Sequence, residues 1–364
     1  MNRLLPIILC LFPLLVHAKE EYVSVEVYYG EEWTVKESKV LDNMPAPTSQ
    51  QGFGFCYGHS AATVFNYHNC QAYKENCSTL EPNRLVSPLG VAVWGQELPK
   101  NNDGHYSFSN PPELTEGGSS IGALFNTAVI RGSAPDQSCI DERAFLGDLY
   151  VEDGSITEAS VASQRKLLGR LQSFYRKYKG QFATTADIPA PVMAELRQIV
   201  PGLDNPELAK GLNGKKFGEF FYRVVIPDRC KRVSNHALFE TDMKLVEYPN
   251  GEKLPHTVKG TMAVIRKAID GGSPLILEVQ CAIKKVGAKG CRPEDAHSFV
   301  VYGYARLCLA SGKCSDGLRL RGSAGEKADA LDRVRWYDAE PLIDAAPKKG
   351  VILGWLIPRP KKAQ

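Results

Sequence analysis

A cysteine in the first turn of a helix lies among amide hydrogens that no carbonyl accepts, at the positive end of the helix dipole. Both favour thiolate over thiol. Cys56 stands at such a place. The run Gln50-Gln51-Gly52-Phe53-Gly54-Phe55 stops at it, and Tyr57, Ala61, Val64, Phe65 and His68 then recur with helical spacing. The chemistry open to it is nucleophilic attack on a carbonyl, given a base nearby. His297 can be that base, because it stands directly before the apolar run Ser298 to Tyr304, which reads as a strand. An imidazole fixed at a strand start can face a thiol on a helix across a cleft. His236, in Ser234-Asn235-His236-Ala237-Leu238, is the rival base, but no glycine-ended apolar strand follows it. His59, His68, His105, His236 and His256 show no metal-ligand spacing with one another or with the cysteines, so neither a metal nor another cofactor is expected.

The compartment bears on the other cysteines. Met1-Asn2-Arg3, the apolar stretch Leu4 to Val16 and the small residue Ala18 before Lys19 read as a signal peptide over residues 1–18. The apolar stretch falls short of the roughly 20 residues that span a bilayer, so no membrane anchor is expected after cleavage. Removal leaves 364 − 18 = 346 residues, and the mature protein is expected to be secreted or periplasmic and monomeric. A net charge of +3 with 23% charged residues gives no reason to expect a nucleic-acid partner. Of ten cysteines Cys10 lies in the leader. The remaining odd count suggests disulfides plus one free thiol, and Cys56 is the one most readily spared. Cys70 with Cys77, Cys281 with Cys291 and Cys308 with Cys314 would close short loops at little entropic cost; the connectivity is otherwise open.

These residues need a scaffold. Tyr22 to Tyr29 alternates like a strand, and Gly117 to Gly132 reads as a glycine turn and then a helix carrying Ile121, Leu124, Phe125 and Ala128. From Ile156 to about Gly214 the pattern is helical, with Leu167, Leu168, Leu171, Phe174 and Tyr175 on one face and Arg165, Lys166, Arg170, Arg176, Lys177 and Lys179 as a solvated basic face. Met262 to Ile269 predicts a helix stopped by Gly271-Gly272, and Pro274 to Val279 a strand. Leu318 to Arg321 and Val334 to Tyr337 predict further strands, so that the C-terminal third should be mostly sheet.

The segment Gln50 to Ser60 resembles the signature of the papain family of cysteine peptidases. There a glutamine stands six residues before the nucleophile, glycine two before, an aromatic residue one after and serine four after. Gln50, Gly54, Tyr57 and Ser60 match. Ala296-His297-Ser298-Phe299-Val300-Val301-Tyr302-Gly303-Tyr304 is similar to the family's histidine segment. Glu116-Gly117-Gly118 resembles the glycine pair that lines the cleft and binds substrate backbone, Gly118 being the better match. The resemblance implies an α+β papain-like two-lobed fold, with a helical lobe, a β-barrel-like lobe and an inserted helical subdomain. The catalytic domain would span 19–360, with 150–258 largely inserted and a basic tail over 361–364. It implies Cys56 as nucleophile, His297 as base and then acid, and Gln50 as oxyanion donor. Gly54, Gly117 and Gly118 would bind substrate, which would be a protein or peptide.

The departures from the family are specific. Gly322-Ser323-Ala324-Gly325 looks like the family's Asn-Ser-Trp-Gly segment, with glycine where the histidine-orienting asparagine belongs and alanine for tryptophan. Asp338 is a substitute orienter, since a carboxylate can accept a ring proton. Phe53 and Thr115 replace the residues of a family disulfide. The 55 − 18 = 37 residues between leader and Cys56 are too few for the family's helical prosegment, so the helical insertion or a partner would have to supply any latency. Two other functions fit the same residues: a catalytically impaired papain-like binding protein, and a Cys-His amidase or transferase acting on cell-wall peptides.

Overall fold

A chain whose apolar residues switch between a period near 3.6 and a period of 2 must place helices on sheet faces. The computed structural model describes residues 22–24, 27–94, 118–152, 157–201, 207–238, 242–250, 255–280, 282–285 and 296–359. The leader, His105, Gly117, Cys281, Cys291 and the basic tail lie outside them.

The fold is mixed α+β. Helices α1 (Cys56–Tyr73), α2 (Pro88–Trp94), α3 (Ser120–Leu124), α4 (Glu142–Leu146), α5 (Glu158–Tyr178), α6 (Ala190–Ile199), α7 (Leu208–Leu212) and α8 (Phe217–Val224) come first; α9 (Val258–Asp270), α10 (Glu326–Asp332) and α11 (Ala339–Asp344) follow. The strands are β1 (Tyr22–Ser24), β2 (Thr34–Val40), β3 (Ser133–Pro135), β4 (His236–Leu238), β5 (Met243–Tyr248), β6 (Leu275–Val279), β7 (Ile283–Lys285), β8 (His297–Cys308), β9 (Cys314–Arg321), β10 (Tyr337–Asp338) and β11 (Leu353–Pro358).

The main sheet runs β10, β9, β8, β6, β11, β5, with antiparallel neighbours. Strand β8 is long enough to change partner. His297 to Val301 pair with β6, and Gly303 to Cys308 pair with β2. Side chains alternate across this sheet. Ile276 and Val300 enter a core with α1, α2 and α3, whereas Leu275, Leu277, Val279, Phe299 and Val301 enter a second core with α9 and α11. Ser298, directly after His297, shares the face of Val300 and meets the helix that Cys56 begins.

Helix α1 is buried along most of its length. A Cβ on Gly58 would come within 2.6 Å of Ala92 Cβ and 2.7 Å of Pro88 O, so glycine is what lets α1 and α2 approach this closely. The predicted helical stretch forms α5, α6 and α7. It is not packed apart from α1: Leu168, Leu171 and Phe174 share one core with Phe217, Phe220, Phe221 and the Phe53 and Phe55 rings that precede Cys56. Ring contacts run from Phe53 to Phe145 at 5.9 Å and from Phe145 to Phe221 at 5.1 Å. The expected basic face is solvent-exposed at all six positions, and four of its residues also make contacts within the protein. Arg165 donates to Gly52 O, Arg170 to Gln198 O and Lys179 to Lys215 O, and Lys177 pairs with Glu195.

Disulfides join Cys70 to Cys77 and Cys308 to Cys314 across short loops, and Cys139 to Cys230 across 91 residues. Bridges of this kind fit a chain folded in an oxidising compartment. The long bridge brackets α5 to α8, and no local pattern points to it. No described helix is long and apolar enough to cross a membrane.

The C-terminal third departs from the expected sheet. Strand β10 holds only Tyr337 and Asp338, and Val334 is 73% exposed in the turn after α10. Helices α10 and α11 interrupt the strands. Of the expected strand Tyr22 to Tyr29, the described residues form β1, which pairs with β7, and a bridge from Tyr28 to Tyr337; residues 25 and 26 lie outside those described.

Candidate active site around Cys56 and His297

Helix α1 delivers Cys56 at its first position, buried and outside any disulfide. Backbone amides of Ser298, Tyr57 and Cys56 are at hand to favour the thiolate form of this sulfur. Two of these are the helix-start donors expected from the sequence, and the third belongs to the residue after His297. The dock is tied again one turn on, where Ser60 Oγ donates to Ser298 O at 3.0 Å. Candidate nucleophile and candidate base are thus held on two touching elements.

Burial nevertheless outweighs the helix. It pushes the Cys56 thiol up to about 11, with the nearby Glu278 carboxyl adding to the rise against the lowering by the three amides. Burial also pushes His297 down to about 4, helped by the proximity of His59. Both groups rest neutral near pH 7. Burial thus favours a neutral thiol and an unprotonated imidazole over the thiolate that the helix start alone predicts.

Gln50 lies in a strand-like segment laid antiparallel to residues 323–325. Its amide donates to Ser323 O at 2.9 Å, Ser49 bridges Ala324, and Gly325 N–H donates to Thr48 O at 3.2 Å. Ser323 Oγ donates to Gln50 Oε1 at 2.6 Å. The carboxamide is thereby oriented with its oxygen occupied and its NH2 left to donate elsewhere. Gly54 is half-buried in the loop between Phe53 and Phe55, both buried. Gly118 packs on Tyr57, where a Cβ would lie 3.0 Å from the ring.

Opposite His297 stands Gly322. A Cβ there would be 3.8 Å from His297 Nε2 and would meet nothing else within 4 Å. The position of the missing asparagine is therefore beside the far ring nitrogen. Asp338 is not. It lies opposite Gly317 on β9 and caps α11 through its Oδ1 to Glu340 N–H at 3.2 Å. The strand registers separate it from His297 by roughly 20 Å or more at about 3.3 Å per residue. The rival base, His236, is also engaged elsewhere. Its Nε2 donates to Cys230 O at 3.0 Å, so Nδ1 accepts from Ser133 Oγ at 3.2 Å.

Sequence inspection misses a polar network behind the thiol. Glu278 on β6 accepts from Ser119 Oγ at 3.0 Å and from Ile121 N–H at 3.3 Å, and Ser120 Oγ donates to Ser298 Oγ at 2.6 Å. Desolvation raises the carboxyl above the usual carboxylate range. The available signal was a lone acid in Leu275-Ile276-Leu277-Glu278-Val279, an otherwise apolar strand. His59, three residues after Cys56, is also buried, with Nδ1 2.8 Å from Thr48 Oγ1 and Nε2 3.2 Å from Glu142 Oε1. Glu278→Gln keeps an acceptor for both donors and removes the charge. The pH at which Cys56 alkylation by iodoacetamide accelerates should move below its wild-type value, while staying high because burial remains the larger cause. An unmoved or higher inflection would contradict this electrostatic role.

No protein-family profile matches the chain, and no curated protein does. Among solved structures it is similar to one titled "High Resolution Crystal Structure Analysis of SERA5 proenzyme from plasmodium falciparum", at 9% identity and a TM-score of 0.35. That match covers 87% of this chain and 62% of the other, so the chain spans less than two thirds of that structure's length.

Proposed function

We propose that the protein is an exported cysteine peptidase on the two-lobed papain plan, hydrolysing peptide bonds through Cys56 and His297. The observation that carries this is the docking of the start of α1 on β8, where Ser60 Oγ donates to the carbonyl of Ser298, the residue after His297, with the Gln50 carboxamide oriented by Ser323. Attack on the substrate carbonyl transfers the thiol proton to the neutral imidazole as the C–S bond forms. Gln50 Nε2 and the Cys56 amide hold the oxyanion. His297 then protonates the departing amine, and water releases the acid from the acyl-enzyme. Secretion or release to a periplasm fits the disulfides. The test is casein hydrolysis by wild type with none by Cys56→Ala. Cleavage of peptidoglycan fragments without cleavage of casein would instead favour the amidase reading.

Gly322 favours a second reading, a papain-like binding protein with weakened chemistry, because nothing at that position can hold the ring. Its backbone does not require glycine, since φ at 322 is not positive. Gly322→Asn is therefore sterically admissible, and its carboxamide oxygen can accept the Nε2 proton. The variant should raise kcat on the order of tenfold with little change in KM, as fixing the tautomer does elsewhere. A folded variant with unchanged or lower kcat would mean that His297 is already oriented or is not the base.

A further inference from the structure

Helix α5 reaches the loop that carries Gln50. Gln164, fully buried, accepts from Gly52 N–H at 2.6 Å through Oε1, while its Nε2 donates to Gln51 Oε1 at 3.1 Å and to Leu149 O at 2.7 Å. Arg165 Nε donates to Gly52 O at 3.1 Å, so one helical turn holds both polar groups of the Gly52 backbone. Gly52 is pressed so closely that a Cβ would lie 2.7 Å from Gln164 Oε1 and 2.9 Å from Val161 Cα.

The residue between Gln50 and Gly52 is strained. Gln51 has φ 56, a left-handed conformation that is unfavourable for a non-glycine residue and persists only where the surroundings impose it. Here they do. Its side chain is buried, with Nε2 donating to Ser49 Oγ at 3.0 Å and to Val151 O at 3.2 Å, and Oε1 accepting from Val151 N–H at 2.9 Å as well as from Gln164. The turn at Gln51 sets where the chain leaves Gln50, and so where the Gln50 carboxamide points.

We infer that Gln164 of α5 is a positioning residue for the oxyanion donor: by clamping Gln51 and Gly52 it fixes the Gln50 carboxamide at the site. This deepens the proposed function and rests on it. The helical segment then serves the chemistry as a brace, which a detachable latch would not do.

The test compares wild type, Gln164→Ala and Gln51→Gly on an N-acylglycine p-nitrophenyl ester, with iodoacetamide alkylation of Cys56 as a second readout. Alkylation is a displacement that forms no oxyanion. Gln51→Gly removes the side-chain clamp while glycine accepts the left-handed turn, so it stays folded even if Gln164→Ala does not. The expected result is a kcat lower by about tenfold to a hundredfold at little-changed KM, as for a donor displaced by about 1 Å, with the alkylation rate unaltered. Lys166→Ala, on the exposed face of α5, should match wild type. A folded Gln51→Gly with wild-type kcat overturns the inference, and so does a parallel loss of kcat and alkylation, which would place the effect on the thiol. Wild type that neither alkylates at Cys56 nor turns over the ester overturns the proposed function beneath it.

Discussion

Replacing His297 with alanine should slow acylation by a small activated ester by about 10² to 10⁴-fold, the usual reach of a positioned base. The imidazole is the group that can take the thiol proton, because burial keeps that thiol protonated up to about 11. Without it the thiol must ionise in a buried site against the Glu278 carboxyl. The pH dependence follows from the sign of the His297 shift. A histidine pushed down to about 4 stays neutral, and so competent as a base, throughout the range above that value. The kcat/KM of wild type should hold level from pH 7 to about 5 and fall only as pH drops through about 4. An acid limb centred at the ordinary histidine value of about 6.5 would show that His297 is better solvated than its surroundings imply.

Replacing Asp329 with alanine should cost about 3–5 kcal/mol of stability, read as a lower urea midpoint at unchanged slope. Asp329 Oδ1 accepts from Arg321 Nε at 2.7 Å with both side chains buried, and Arg321 Nη1 also donates to Pro45 O. Removing the acid strands a buried guanidinium. Arg321 ends β9 directly before Gly322 and Ser323, and Pro45 opens the segment leading to Gln50, so the ion pair joins the two strips that meet at the site. Exchanging both partners for apolar residues of similar size, Arg321→Met with Asp329→Leu, should recover most of the loss, because no buried charge is then left unpaired; Arg333, which also pairs with Asp329, is exposed to solvent. If Asp329→Ala costs less than about 1 kcal/mol, the pair is solvated and anchors nothing.

The elements that carry Cys56 and His297 were more legible in the sequence than the frame around them. Cys56 heads a helix whose apolar spacing is plain, and the strand after His297 is an unbroken apolar run, so both could be placed from local pattern. Strand β2 could not, since all of Thr34–Val40 is exposed and the alternation that marks a half-buried strand never arises. Glu278 and Gln164 were illegible for a different reason. Glu278 is a lone acid in an apolar strand and Gln164 one polar residue among several on α5, and the role of each depends on partners far along the chain: Ser119 for Glu278, Gln51 and Gly52 for Gln164. The Cys139–Cys230 bridge is of the same kind, spanning 91 residues. Burial works against the thiolate that the helix start favours, because a helix start is a local feature, whereas burial is a property of the whole fold.

The central claim is that Cys56 is a nucleophile worked by His297. Incubating the folded protein with a peptidyl vinyl sulfone at neutral pH and mapping the modified peptide by mass tests it most directly. The expected outcome is an adduct on the peptide carrying Cys56 in wild type, its loss in Cys56→Ala, and a rate in His297→Ala lower by about 10²-fold or more. A folded wild type whose Cys56 stays unmodified, or one labelled equally fast with and without His297, would contradict it.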